Sequence, residues 1–227
     1  MNKFLISPAQ NAIATFVFAH GAGADMHHEF MTQVAQLLVA KNVNVVCFNF
    51  TYMIKRQLDG KRYPPDRMPK LLLSYQEVLN AIAKQEISIE IDPDLPLFIG
   101  GKSMGGRVAA TLLHSIEFKD VTAKVLGLVC LGYPFHPQKQ PEKLRLEPLH
   151  FKNSALIGKP TLIIQGERDS LGNKEEVLSY QLPKHCQSVF LEDGDHSFKP
   201  RVKSGFTQAQ HIKSAIKQLV KFIHEHK

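Results

Sequence analysis

Residues 97–107 read LFIGGKSMGGR, four glycines crowded around one serine directly after a short apolar run. Such a cluster can wrap a phosphate, close a tight turn, or make room for a strained turn that presents a nucleophile. A phosphate loop of the form G-x-x-x-x-G-K-[ST] would end at Gly101-Lys102-Ser103, but Pro96 stands where its first glycine belongs. A dinucleotide-type G-x-G-x-x-G is absent. What remains is Gly101-Lys102-Ser103-Met104-Gly105, a match to G-x-S-x-G, in which the serine sits on a sharp strand-to-helix turn. Val108, Leu112, Leu113 and Ile116 follow as an apolar helical stripe. Ser103 therefore falls at a helix N-terminus, where the dipole favours developing negative charge.

Working outward, apolar runs of strand length recur at Ile13–Ala19, Val43–Phe50, Leu97–Gly100, Val125–Leu131, Thr161–Gln165 and Ser188–Leu191. Most are near-continuous rather than alternating, as strands buried on both faces should be. Helical spacing lies between them, in Phe30, Val34, Leu37 and Leu38, in Leu71, Tyr75, Val78 and Ile82, and in Ile212, Ile216, Leu219 and Ile223. Strand and helix in alternation predict an α/β fold, a mostly parallel doubly wound sheet with helices on both faces. Residues 1–227 read as a single domain without a cap. Two long stretches, Thr51–Pro69 and Tyr133–Pro160, read as irregular loops rich in proline and basic residues.

In this architecture ligands bind beyond the carboxyl ends of the strands. A serine nucleophile needs a base, and the base an orienting carboxylate, in the chain order serine, acid, histidine. Strand 161–165 runs into Gly166-Glu167-Arg168-Asp169, and strand 188–191 into Glu192-Asp193-Gly194-Asp195-His196. Ser103, Asp169 and His196 thus match in type, order and strand-end position as candidate catalytic residues, with Glu167 as the competing acid. Asp193 and Asp195 read as shaping the turn before His196, and Asn173 as the cap of a helix over 173–180. After the first strand comes His20-Gly21-Ala22-Gly23. Its small residues suit backbone N–H groups converging on one oxygen, so Ala22 and Met104 are the candidate oxyanion donors, with Gly23 the alternative to Ala22. The basic stretch supplies Tyr52 and Arg56 as candidate substrate-binding residues alongside Gly23, an acidic group on the substrate being their expected partner. The competing reading is a solvated basic loop.

The chain has 227 residues and a formal net charge of +7, scattered apart from a concentration between Lys55 and Lys70. No interleaved aromatic and basic signature points to nucleic acid. Three cysteines without paired spacing predict free thiols and a reducing compartment. No run approaches the roughly 18 apolar residues of a membrane span. No clustered Cys/His spacing suggests a metal. The expectation is a soluble, cytoplasmic protein whose partner is a small acyl substrate, not nucleic acid or a membrane.

The stretches HGAGADMHHEFM (20–31), FNFTYMIKRQLDGKRYPPDR (48–67), GGKSMGGR (100–107), LGYPFHP (131–137) and QGERDSLG (165–172) make the chain resemble an α/β-hydrolase over essentially its whole length. More narrowly, it is similar to a small branch of testis-expressed-protein and NSL-complex-regulatory-subunit-like proteins, distant relatives of dienelactone hydrolases. QGERDSLG supports Asp169 as the acid, and DGDHSF (193–198) supports His196 as the base. Dienelactone hydrolases proper use cysteine where this chain has Ser103, so their substrate does not carry over. The resemblance implies a serine hydrolase of a small soluble ester or thioester, working without a cofactor. The alternatives are a non-catalytic protein-interaction module on the same fold, which some members of the NSL-related branch resemble, and an acyltransferase or peptidase with the same triad.

Overall fold

Phe16 and Phe18 point to one side of their strand and Val17 and Ala19 to the other, and all four are fully buried. That two-sided burial explains why the apolar runs are continuous. The computed structural model describes residues 3–88, 90–150 and 158–227. The strands are β1 (Phe4–Ser7), β2 (Ala14–Ala19), β3 (Val43–Phe48), β4 (Leu97–Lys102), β5 (Val125–Leu131), β6 (Thr161–Gly166) and β7 (Cys186–Leu191). They form one seven-stranded sheet in the order β1-β3-β2-β4-β5-β6-β7. Only β1 runs antiparallel, against β3.

The helices are α1 (Glu29–Val39), α2 (Thr51–Asp59), α3 (Met68–Ala83), α4 (Met104–Leu113), α5 (Lys174–Ser179) and α6 (Gln208–His226). Helices α1 and α6 cover the face that carries Phe16, Phe18 and Phe98, through residues such as Leu38, Ile212 and Leu219. Helices α2, α3, α4 and α5 contribute to the opposite core, against Val17, Val46 and Ile99. Asn173 caps α5 in a reciprocal capping box with Glu176, as expected for that position, and Thr207 and Gln210 do the same for α6.

The structure corrects the sequence reading in three places. Thr51–Pro69 is not one irregular loop, because its first nine residues form α2. Gly60 closes that helix in the left-handed conformation, φ 71°, with its N–H on the Arg56 carbonyl. The short strand β1 is an addition to the sequence reading: FLIS is a half-buried edge strand whose apolar run, Phe4-Leu5-Ile6, is only three residues long. The stripe after Ser103 ends at Leu113, and Ile116 is 56% exposed. Within 133–160, residues 151–157 lie outside the described residues.

One buried hydroxyl ties the sheet to α3. Tyr75, fully buried, lies with its Oη 2.8 Å from the Val17 and Gly100 carbonyl oxygens, and the Gly100 N–H donates to it at 3.0 Å. Tyr75→Phe leaves these backbone groups without that partner in a dry interior. It should cost about 1–2 kcal/mol of unfolding free energy, measured by urea titration, with the fold retained.

Candidate active site

Strand β4 ends one residue before the turn. Ser103 is held there at φ 52° and ψ −115°, a conformation that costs a non-glycine residue about 1–3 kcal/mol. The turn persists because its backbone is fixed on both sides: the Ser103 N–H donates to the Leu131 carbonyl at 3.0 Å, and the Arg107 N–H to the Ser103 carbonyl at 3.1 Å. Two glycines make the approach possible. A Cβ on Gly101 would lie 2.4 Å from the Gly105 carbonyl carbon, and one on Gly105 would lie 2.4 Å from the Ala19 oxygen. Any side chain at either position would push α4 off the sheet.

The loops after β6 and β7 bring Asp169 and His196 to this turn. Ser103 Oγ lies 2.9 Å from His196 Nε2, and His196 Nδ1 lies 2.8 Å from Asp169 Oδ2. Asp169 is fully buried, and its second oxygen accepts the Leu171 N–H at 2.8 Å. Gln165 Nε2 also donates to Oδ2, at 2.9 Å. A carboxylate so placed takes a proton-bearing Nδ1, which leaves Nε2 as the acceptor for Ser103, with Lys102 Nζ more distant from it at 3.4 Å. Glu167 is turned elsewhere. It takes Lys174 at 2.7 Å and the Asp193 N–H at 3.1 Å, and the Lys174 contact chiefly holds its pKa below the usual range. Asp193 accepts from Arg201 and Arg168, and Asp195 accepts the Ser197 and Lys199 N–H groups at 2.7 and 2.9 Å, so both brace the turn that carries His196.

The loop after β2 is fixed from beneath. His20, fully buried, donates from Nδ1 to the Gly21 carbonyl at 2.7 Å and accepts the Phe50 N–H on Nε2 at 3.2 Å. Its ring packs edge-on against Phe50, with centroids 5.0 Å apart. Tyr52 donates to the Ala22 carbonyl at 3.0 Å. Asn49 and Asp25 extend the brace, accepting the Met26 N–H and Gln57 Nε2 at 2.9 and 3.0 Å. The N–H groups of Ala22 and Met104 meet no acceptor among the described residues.

Two clefts meet at Ser103 and Ala22. One, about 420 Å³, is lined by Met104, Arg107, Arg145, Asp66 and Leu171 as well. The other, about 450 Å³, is lined by Gly23, Phe30, Lys102, His196 and Gln208 as well. Of the candidate substrate-binding residues, Gly23 lines the second of these clefts, and Tyr52 and Arg56 line neither. Tyr52 is buried under the loop, and Arg56 donates to the Tyr63 carbonyl while stacking on the Tyr52 ring at 5.2 Å. In the sequence Lys102 stands only as the tail of an incomplete phosphate-loop motif. Its Nζ donates to the His196 carbonyl at 2.7 Å and lies over the Phe30 and Phe198 rings at 5.7 and 5.6 Å. Burial lowers its pKa to about 8 against the pull of Asp169 and Asp195. Among the described residues no three His, Cys, Asp or Glu side chains are grouped to hold a metal. No described helix is long and apolar enough to cross a membrane.

A family model described as "Alpha/beta hydrolase domain" matches residues 12–224. The chain belongs to that family. Among solved structures, this hydrolase-family chain is similar to a dienelactone hydrolase from Anabaena variabilis, at TM-score 0.70 and 17% identity over 98% of this chain and 91% of that one. An alpha-beta serine hydrolase homologue from Coxiella burnetii superposes at 0.66 and 16% identity, over 96% and 89%. A serine hydrolase without a lid from Xanthomonas campestris superposes at 0.61 and 16%, over 95% and 88%. At these identities the likeness establishes the fold, and the residues of this chain must carry the chemistry.

His20 makes the loop sensitive to acid. Burial lowers its pKa from 6.5 to about 4. Between those values the unfolded chain binds a proton that the folded chain does not, so stability rises with pH across the window and is lost on acidification through it. The site should contribute about 3 kcal/mol of this loss between pH 6.5 and 4. Urea unfolding at a series of pH values should show a shallower decline for His20→Gln than for wild type.

Proposed function

We propose that this chain is a serine hydrolase that cleaves a small ester or thioester through an acyl-enzyme. The observation that carries this reading is the unbroken line of contacts from Ser103 Oγ through His196 to the buried Asp169. Ser103 passes its proton to His196 Nε2 as Oγ attacks the substrate carbonyl. Asp169 keeps the imidazole in the tautomer that accepts on Nε2 and stabilises the imidazolium that forms. The tetrahedral oxyanion takes the free N–H groups of Ala22 and Met104, each worth about 3 kcal/mol when well aimed. His196 then protonates the leaving group, and water repeats the cycle to release the acid.

This assigns the two clefts. The leaving group must receive its proton from His196, so it occupies the cleft that His196 lines, and the acyl group occupies the cleft lined by Met104, Arg107 and Arg145. Tyr52 acts from beneath, as a prop for the Ala22 loop, rather than on substrate. The motif resemblance extends this reading to the branch of testis-expressed and NSL-related proteins. The free Cys47, Cys130 and Cys186 fit a reducing compartment such as the cytoplasm.

A fluorophosphonate should label wild-type protein at Ser103 and leave Ser103→Ala unlabelled. Asp169→Asn should keep the fold and lower kcat on an activated ester roughly 10⁴-fold. A well-folded but unlabelled wild type would instead identify a non-catalytic interaction module. Transfer to an added alcohol or amine in preference to water would identify an acyltransferase.

A further inference from the structure

The proposed mechanism leaves two cations of the acyl cleft unused, Arg107 and Arg145. Arg107 follows Ser103 by four residues, one helical turn, which puts it beside the nucleophile. Its Nε is buried and has no hydrogen-bond partner. Arg145 is brought in by a loop pinned to the end of β5. Its N–H donates to the Phe135 carbonyl at 2.7 Å, and the Tyr133 hydroxyl donates to its carbonyl at 2.8 Å. Among the described residues no carboxylate is ion-paired with either guanidinium. The cleft's own carboxylate, Asp66, is engaged by Lys70 at 3.0 Å through one oxygen, and its other oxygen has no partner. The cleft lining therefore sets two guanidiniums against a single carboxylate, which is itself paired with Lys70 from outside the cleft.

Unpaired cations sharing a half-buried cleft are unfavourable unless something negative arrives. Burial first, and the Arg107 charge second, hold the Arg145 guanidinium below its ordinary range. A carboxylate offers two oxygens in the geometry that guanidiniums bind. We propose that Arg107 and Arg145 form an anion subsite for a carboxylate at the far end of the acyl group, so that the favoured substrates are esters or thioesters of short dicarboxylic acids. The acyl cleft, about 420 Å³, accommodates such a chain between Ser103 and the arginines. The acidic substrate group expected at Arg56 is thus assigned instead to α4 and the loop after β5. The inference rests on the hydrolase reading for its division into acyl and leaving-group sides.

The test compares mono-4-nitrophenyl glutarate with 4-nitrophenyl valerate, which have the same chain length and leaving group and differ in the distal charge. Wild type should favour the glutarate ester in kcat/KM by about tenfold or more, and Arg107→Gln and Arg145→Gln should each collapse that ratio towards one. Free glutarate, titrated calorimetrically, should bind wild type about tenfold more tightly than Arg145→Gln. Turnover of both esters with no preference, or a preference that survives both substitutions, overturns the subsite and leaves the hydrolase standing. Absence of turnover and of fluorophosphonate labelling, with arginine-dependent glutarate binding intact, overturns the hydrolase and leaves the subsite standing. Absence of glutarate binding to wild type as well overturns both.

Discussion

The backbone of α4 passes so close to the end of β2 that no side chain fits between them at Gly105, where a Cβ would meet the Ala19 and His20 carbonyl oxygens at 2.4 and 2.7 Å. Much of the site depends on this contact. It forces the chain to turn within one residue after β4, which puts Ser103 at positive φ, and it sets the first turn of α4 beside the loop that carries Ala22. The strain at Ser103 is held by hydrogen bonds to the Leu131 carbonyl, at the end of β5, and from the Arg107 N–H, in the first turn of α4.

Around that turn, two fully buried titratable groups are fully paired. Asp169, though fully buried, receives hydrogen bonds from His196, Gln165 and the Leu171 N–H. His20 is equally buried and is satisfied on both ring nitrogens by backbone groups. The buried polar atoms without a partner there are Gln165 Oε1, beside Asp169, and Arg107 Nε and Asp66 Oδ2, on two residues of the cleft lined by Met104 and Arg145.

The central strands were legible because burial on both faces writes a continuous apolar run, and the order of serine, aspartate and histidine after three strand ends was legible for the same reason. Helix α2 was not. It buries little beyond Tyr52 and Met53, and its Lys55, Arg56 and Gln57 read as loop when followed by Gly60 and two prolines. Arg107 could have been found from its spacing of four from Ser103 on a helix. Nothing local marks Arg145, whose position depends on the path of a loop folded back onto Phe135 and Tyr133. Tyr52 and Arg56 were read by residue type, whereas their hydrogen bonds to the Ala22 and Tyr63 carbonyls depend on how α2 packs beneath its neighbours.

Lys102 precedes Ser103 in sequence, yet its ammonium is bound to the carbonyl of His196, which lies 94 residues further along the chain. A single side chain thereby clamps the end of β4 to the turn after β7. Thermal opening of the β7 turn must break this clamp, and opening of the elbow must break it too, so the two segments should breathe together. Ser103 and His196 are in this sense carried by one cooperative unit, whose disorder would appear in amide exchange as a single event rather than as two.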